Sequence, residues 1–97
     1  MLILPIKKKW FDMIKSGEKK EEYREIKPYY TSRFENQIEK NKNCKFDIIL
    51  RNGYSKTSPS IKCKIYIYKG YGKEAWGGNP HEKYYVLKIL SVEKIDD

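Results

Sequence analysis

Three charged residues in the first quarter of the chain, Lys19, Glu22 and Arg24, have types and spacing suited to a charged site. They follow Gly17, which we expect to end a helix, because glycine readily adopts the positive φ of a helix C-cap. A strand is expected next, in which Glu22 and Arg24 leave the same face. Lys19 stands at the mouth of that strand, so the three side chains can converge and favour each other's ionised forms. Both a binding cleft and a surface ion-pair cluster are compatible with this pattern.

The spacing Gly-x-Lys-x-x-Glu-x-Arg over residues 17–24 resembles the signature of the ASCH domain, a family related to the PUA RNA-binding fold. Further blocks in the same order resemble the compact ASCH proteins of phages and Gram-positive bacteria, namely Leu4-Pro5-Ile6-Lys7 through Met13-Ile14, Arg51-Asn52-Gly53-Tyr54 and Trp76-Gly77. The resemblance covers nearly the whole chain. It implies a small PUA-like β-barrel of about five strands with two helices, and a cleft between the helices and the barrel.

The resemblance also implies a basic cleft that binds RNA or a nucleotide. Lys19 and Arg24 are expected to contact phosphate, and Glu22 to accept a hydrogen bond from a base amino group. Trp76 or Tyr54 is expected to stack on a base. Single-stranded or looped RNA is the expected partner, because its bases are free to be read. The predicted binding residues are Lys19, Glu22, Arg24, Arg51, Asn52, Tyr54 and Trp76.

A nucleic-acid-processing enzyme that uses Lys19 and Glu22 as acid and base in the same cleft is the alternative interpretation. Some ASCH relatives hydrolyse N4-acetylcytidine with a lysine, a threonine three residues later and a distant glutamate, and others act as ribonucleases. Lys19 matches the lysine, but Glu22 stands at the threonine position, which argues against deacetylation. His81 is the only histidine, and we find no Ser-His-Asp, Cys-His or metal-binding set. A third interpretation is a small interaction protein with no nucleic-acid role.

The hydrophobic pattern predicts an α+β fold with the order strand, helix, strand, helix and three strands. The apolar stripe of the first helix consists of Ile6, Trp10, Met13 and Ile14, of which Trp10 suits either the core or a pocket rim. In the second helix Tyr30, Phe34 and Ile38 form the apolar face. We expect strands at residues 2–4, 19–26, 46–50, 61–68 and 83–92, helices from Ile6 to Ser16 and from Pro28 onward, and a polar tail at residues 93–97.

The chain is basic, with 21 Lys and Arg against 13 Asp and Glu and a net charge of +8. Such an excess suits a polyanionic partner, although it also serves solubility alone. Lys62 and Lys64 alternate with tyrosines on the outer face of the strand over residues 61–68. Lys7 belongs to a run of three lysines at a helix N-terminus, where they oppose the helix dipole and suit either a bound anion or solvated side chains. A secondary basic surface is therefore predicted at Lys7, Lys62 and Lys64.

Ninety-seven residues predict a single domain over residues 1–97, and we expect a monomer. Cys44 and Cys63 form neither a disulfide framework nor a zinc pattern, so neither a metal nor another cofactor is expected. The apolar stretch at the N-terminus is too short for a signal peptide, and no apolar run is long enough to span a membrane. We therefore expect a cytoplasmic protein without a membrane partner.

Overall fold

A computed structural model of the protein describes residues 1–95, which form two helices and a five-stranded mixed sheet curled into a half-barrel. The predicted α+β class with five strands and two helices is confirmed. In chain order the elements are β1 (Leu2–Pro5), α1 (Lys8–Ser16), β2 (Glu21–Glu25), α2 (Pro28–Asn41), β3 (Lys45–Arg51), β4 (Ser60–Tyr71), a short 3-10 helix (Glu74–Trp76) and β5 (Lys83–Lys94).

The elements differ from the prediction mainly at their ends. Helix α1 begins at Lys8 rather than at Ile6, because the N–H of Ile6 donates to the carbonyl oxygen of Arg51 at 2.9 Å and so extends the contact between β1 and β3. Strand β5 continues to Lys94, so the predicted polar tail is wrong for its first two residues, which pair with β4. The last part of that tail, residues 96–97, lies outside the described residues.

The strand order β1-β3-β4-β5-β2 makes β1 and β2 the two edges of the sheet. Strands β1 and β3 are parallel, and the other neighbouring pairs are antiparallel. The curl of the sheet brings the two edges together. A hydrogen bond joins them there, since Arg24 on β2 donates from Nη2 to the carbonyl oxygen of Pro5 on β1 at 2.7 Å. We call this meeting of the two edges at Pro5 and Arg24 the seam.

Alternate residues of the strands build the core on the helix-facing side of the sheet. Helix α1 contributes Phe11 and Ile14, and α2 contributes Phe34, whose ring meets Tyr85 of β5 edge to face at 5.1 Å. The predicted stripe of α1 is therefore wrong in omitting Phe11 and in including Met13, which lies half-buried outside the core cluster. The inward residues of β4 are buried as predicted; they are Ile61, Cys63, Ile65 and Ile67.

Helix α1 ends at Gly17 in the predicted left-handed conformation. Gly17 has φ of 88°, and its N–H donates to the carbonyl oxygen of Ile14 at 3.1 Å. The N–H of Lys19 then donates to the carbonyl oxygen of Met13 at 2.9 Å, which turns the chain back from α1 toward β2. Within residues 1–95 neither helix combines the length and the apolar character that a bilayer crossing requires.

Candidate functional site

Lys19, Glu22 and Arg24 converge at the seam and are buried there, with 1%, 7% and 9% of their surfaces exposed. Glu22 pairs in register with Leu87 of β5, and Arg24 pairs with Tyr85. Because residues opposite each other in a sheet share a face, the two charged side chains lie on the core-facing side. These three residues are therefore a buried charged cluster and not an exposed ion-pair cluster on the surface.

The carboxylate of Glu22 lies between two cations. Its Oε2 accepts hydrogen bonds from Arg24 Nε at 3.1 Å and Nη2 at 2.7 Å, and its Oε1 lies 3.3 Å from Lys19 Nζ. Arg24 also donates to the Pro5 carbonyl oxygen and, at 3.2 Å, to the Tyr30 hydroxyl. The Nε–Nη2 side of the guanidinium is thus occupied by Glu22, whose carboxylate Arg24 orients. A phosphate contact by Arg24 stays a prediction.

Lys19 lies beneath the cleft and connects two parts of the chain. Its Nζ donates to the carbonyl oxygen of Trp76 and lies 5.1 Å from the ring centroid of Trp10 and 5.0 Å from that of Tyr23. Burial lowers the pKa of Lys19, while the attraction of Glu22 opposes that shift. With 1% of its surface exposed, Lys19 anchors the loop between β4 and β5. A phosphate contact by Lys19 stays a prediction.

An open cleft of about 590 Å³ lies over the charged cluster at the seam. This volume falls within the range of about 300–1,000 Å³ that is usual for small-molecule sites. Its charged lining residues are two cations, Lys7 and Arg24, and two carboxylates, Glu22 and Glu25. The cleft is therefore charge-balanced rather than basic as predicted. Six of its fifteen lining residues are aromatic, namely Trp10, Tyr23, Tyr30, Tyr54, Trp76 and Tyr84.

The structure brings most of the predicted binding residues into this cleft, namely Glu22, Arg24, Asn52, Tyr54 and Trp76. Arg51 is an exception, because its Nε donates to the hydroxyl of Ser60 at 3.3 Å and its side chain is absent from the lining. Its backbone still supports the wall, since its carbonyl oxygen accepts the hydrogen bond from Ile6. Arg51 is thus a supporting residue and not a wall residue.

The predicted secondary basic surface is not a single surface. Lys7 lines the cleft, whereas Lys62 and Lys64 lie on the outer face of β4. The Nζ atoms of Lys62 and Lys64 are 3.8 and 3.5 Å from the carboxylate of Asp47, which lies on the neighbouring strand. Both ammonium groups are therefore partly neutralised by one shared acidic residue.

Sequence reasoning missed three of the four tyrosines that line the cleft, Tyr23, Tyr30 and Tyr84, of which Tyr23 is the most informative. It alternates with Glu22 and Arg24, so the strand pattern places it on the opposite face. It lines the cleft nevertheless, because β2 is an edge strand and the loop before β5 folds over it. A Cβ atom at Gly78 of that loop would lie 2.8 Å from the Tyr23 ring, which is 5.5 Å from the ring of Tyr84.

Gly77 allows the loop wall to approach the cleft closely. It adopts φ of 87°, and a Cβ atom there would lie 2.8 Å from the ring of Trp10. Only glycine combines this backbone conformation with this close packing. The residue before it, Trp76, is thereby held with its carbonyl oxygen on Lys19 and its side chain in the cleft wall. Trp10, for which the sequence leaves core and pocket rim open, packs beside Gly77, lines the cleft and also contacts the core.

The described residues offer no obvious metal centre, since within residues 1–95 no group of three His, Cys, Asp or Glu side chains is placed to hold an ion. Burial raises the pKa of Cys63 to about 12, so that thiol stays protonated at neutral pH. Comparisons with protein families, curated proteins and solved structures find no match. Function is therefore inferred from the cleft itself.

Proposed function

We propose that this protein is an ASCH-type, PUA-like module that binds single-stranded RNA or a nucleotide by taking a nucleobase into the cleft. The observation that carries the proposal is the fixed carboxylate of Glu22 at the base of an aromatic-walled cleft. Aromatic side chains stack on any base, with about 1–3 kcal/mol per base. A cleft of this composition therefore holds a planar heterocycle by stacking and reads its edge with a polar group.

The charges of the cleft favour a base at its floor and a phosphate at its mouth. An ionised carboxylate only accepts hydrogen bonds, so Glu22 attracts the amino or imino N–H of a base and repels phosphate. Lys7, by contrast, is exposed at the N-terminus of α1, where the first turn carries no acidic residue and the N-cap makes no side-chain hydrogen bond. A phosphate there meets both the lysine and the positive end of the helix.

The family assignment is supported by where the blocks of the resemblance lie. Gly17 caps α1, and the other three residues of the motif form one connected cluster at the seam. The block that contains Asn52 and the block that contains Trp76 both reach the same cleft. Residues that are distant in sequence thus converge on one site, as expected if they serve one ligand.

Tryptophan fluorescence offers a direct test, because the chain has two tryptophans and both line the cleft. We expect the four ribonucleoside monophosphates and short single-stranded RNA to quench the emission at low salt. Trp76→Ala should weaken the affinity measured by calorimetry, whereas Tyr71→Ala, at an exposed tyrosine outside the lining, should leave it unchanged. A folded wild-type protein that binds neither RNA nor nucleotide at low salt would overturn the proposal.

An enzyme that uses Lys19 and Glu22 as acid and base is the second candidate. The lowered pKa of Lys19 and its 3.3 Å contact with Glu22 favour it. A catalytic acid or base must come within hydrogen-bond reach of the substrate, and Lys19 is covered by the Trp76 loop. We expect no cytidine from N4-acetylcytidine and no shortened RNA on chromatography. Either product at enzymatic rates, lost in Glu22→Gln, would establish the enzyme instead.

A further inference from the structure

We infer that a bound RNA strand continues from the cleft into a second groove, so that the protein recognises at least two consecutive nucleotides. This inference rests on the proposed function. The second groove has a volume of about 470 Å³ and is lined by Leu4, Pro5, Lys27, Pro28, Tyr29 and Tyr30. Pro5 and Tyr30 line both spaces, so the groove and the cleft adjoin at the seam. A strand that leaves the cleft past these two residues enters the groove directly.

Tyr30 is a fixed wall between the two spaces. Its hydroxyl accepts a hydrogen bond from Arg24 at 3.2 Å, and its ring stacks on buried Phe34 with centroids 5.7 Å apart and planes 13° apart. A side chain held at both its ring and its hydroxyl keeps its place when a ligand binds. Because Phe34 covers one face of its ring, Tyr30 separates the two spaces rather than offering both faces for stacking, and one base in each space leaves Tyr30 in place.

The groove offers a second aromatic platform at Tyr29, whose side chain is 52% exposed. The guanidinium of Arg33 lies 3.6 Å from the centroid of the Tyr29 ring and donates to the Tyr29 carbonyl oxygen at 2.9 Å. The ring is thus held in position by a cation from the next turn of α2, and it still has surface available for stacking. Such a pairing of aromatic ring and arginine is typical of surfaces that bind single strands.

The lining of the groove is more positive than the lining of the cleft, as binding of a nucleic-acid backbone requires. The charges of the cleft lining cancel, whereas the groove lining contains Lys27 and, among the described residues, no carboxylate. The acidic residue nearest to Lys27 Nζ is Glu25, with a long contact of 4.0 Å. Together with Arg33, Lys27 places positive charge beside the path that a phosphate linking the two bases would follow. This positive charge favours RNA over a peptide with few acidic residues and over an uncharged ligand.

The inference is tested by comparing each ribonucleoside 5′-monophosphate with the 5′-phosphorylated dinucleotide, which keeps that phosphate and adds a second nucleoside through a linking phosphate. We expect the dinucleotide to bind at least about 10-fold more tightly, because it adds one stacked base and one phosphate contact. Tyr29→Ala and Arg33→Ala should remove this gain and leave the affinity for the monophosphate unchanged. Lys40→Ala, in the last turn of the same helix, is the matched control and should alter neither affinity.

Equal affinities for the monophosphate and the dinucleotide would overturn the inference while leaving the proposed function intact. So would a dinucleotide gain that survives both Tyr29→Ala and Arg33→Ala. An absence of binding by monophosphate, dinucleotide and longer RNA would instead overturn the function on which the inference rests. A salt titration adds a second readout, since Arg33→Ala should lower the slope of log K for single-stranded RNA by about 0.7.

Discussion

Replacing Glu22 by Gln tests whether the charged cluster is buried and mutually dependent. The amide keeps the shape of the side chain but removes the only negative charge that contacts Lys19 and Arg24 in the described structure. All three side chains are at most about a tenth exposed, so water screens the remaining cations poorly. Removing one partner of a buried ion pair costs about 3–5 kcal/mol. We expect Glu22→Gln to lower the free energy of unfolding by about 3 kcal/mol at neutral pH.

The pH dependence of this variant identifies the cation responsible. Burial lowers the pKa of Lys19 from 10.5, and Glu22 limits the shift, so the pKa should fall further in Glu22→Gln. A lysine with a lowered folded pKa destabilises the fold while it is charged, below that pKa. The cost is relieved as the pH rises from the folded pKa toward the unfolded value of 10.5. Glu22→Gln should therefore regain stability at alkaline pH, and more of it than the wild type does.

Urea unfolding followed by tryptophan fluorescence and circular dichroism measures both effects. The double variant Lys19→Met with Glu22→Gln should lose the alkaline recovery, because the titrating group is gone. Glu35→Gln, at an exposed carboxylate on α2, is the matched control for the chemical change. The reasoning is refuted if Glu22→Gln unfolds within about 0.5 kcal/mol of the wild type at neutral pH, as surface substitutions do.

Three further predictions concern the cap, the loop wall and the outer face. Gly17→Val should lower the free energy of unfolding by about 1–2 kcal/mol, because a residue with a Cβ atom is strained at φ of 88° even where the side chain has space. An unchanged melting temperature would contradict the left-handed cap. Gly77→Ala should shift the tryptophan emission and weaken nucleotide binding, since the new methyl group would lie 2.8 Å from Trp10. Unaltered emission and affinity would show that the loop moves to accommodate the methyl group at no cost. Lys62→Ala with Lys64→Ala should lower the slope of log K against log salt concentration for RNA by less than about 1.4, which is the value for two free phosphate contacts. The reason is that both lysines share the carboxylate of Asp47. A larger decrease would place RNA on the outer face.

The order of the elements and the convergence of the cluster were predictable because short-range rules determine them. Gly17 reverses the chain through its own backbone conformation, and the two-residue spacing of Glu22 and Arg24 gives their side chains one direction. Neither statement depends on what packs against β2. The ends of the elements were less predictable, because they depend on partners elsewhere, as at Ile6, which is held by the backbone of Arg51.

The burial of the cluster could not be predicted from the same local rules. Lys19 is covered because it donates to the carbonyl oxygen of Trp76, 57 positions away, and Arg24 is covered because it donates to Pro5 on the opposite sheet edge. The first contact depends on where the loop before β5 folds and the second on how strongly the sheet curls, and no local pattern specifies either. Tyr23 was missed for the same reason, since its place in the cleft requires a distant loop to fold over an edge strand.

The seam couples stability to binding, which decides how variants of the site are to be interpreted. Arg24 links β1, β2 and α2 through Pro5, Glu22 and Tyr30, so weaker binding in Arg24→Ala could arise from a loosened seam. Tyr54 avoids this ambiguity, because it lines the cleft while 91% of its surface is exposed.

We expect Tyr54→Ala to leave the urea midpoint unchanged, because truncation of an exposed side chain costs less than about 0.5 kcal/mol. The same variant should bind nucleotide more weakly by about 1–3 kcal/mol if Tyr54 stacks on the base. Unfolding and titration of one preparation measure both quantities together. Unchanged affinity would remove Tyr54 from the binding site and leave base stacking to the half-buried rings of the wall. A shifted midpoint would show that the loop of Tyr54 contributes to the fold.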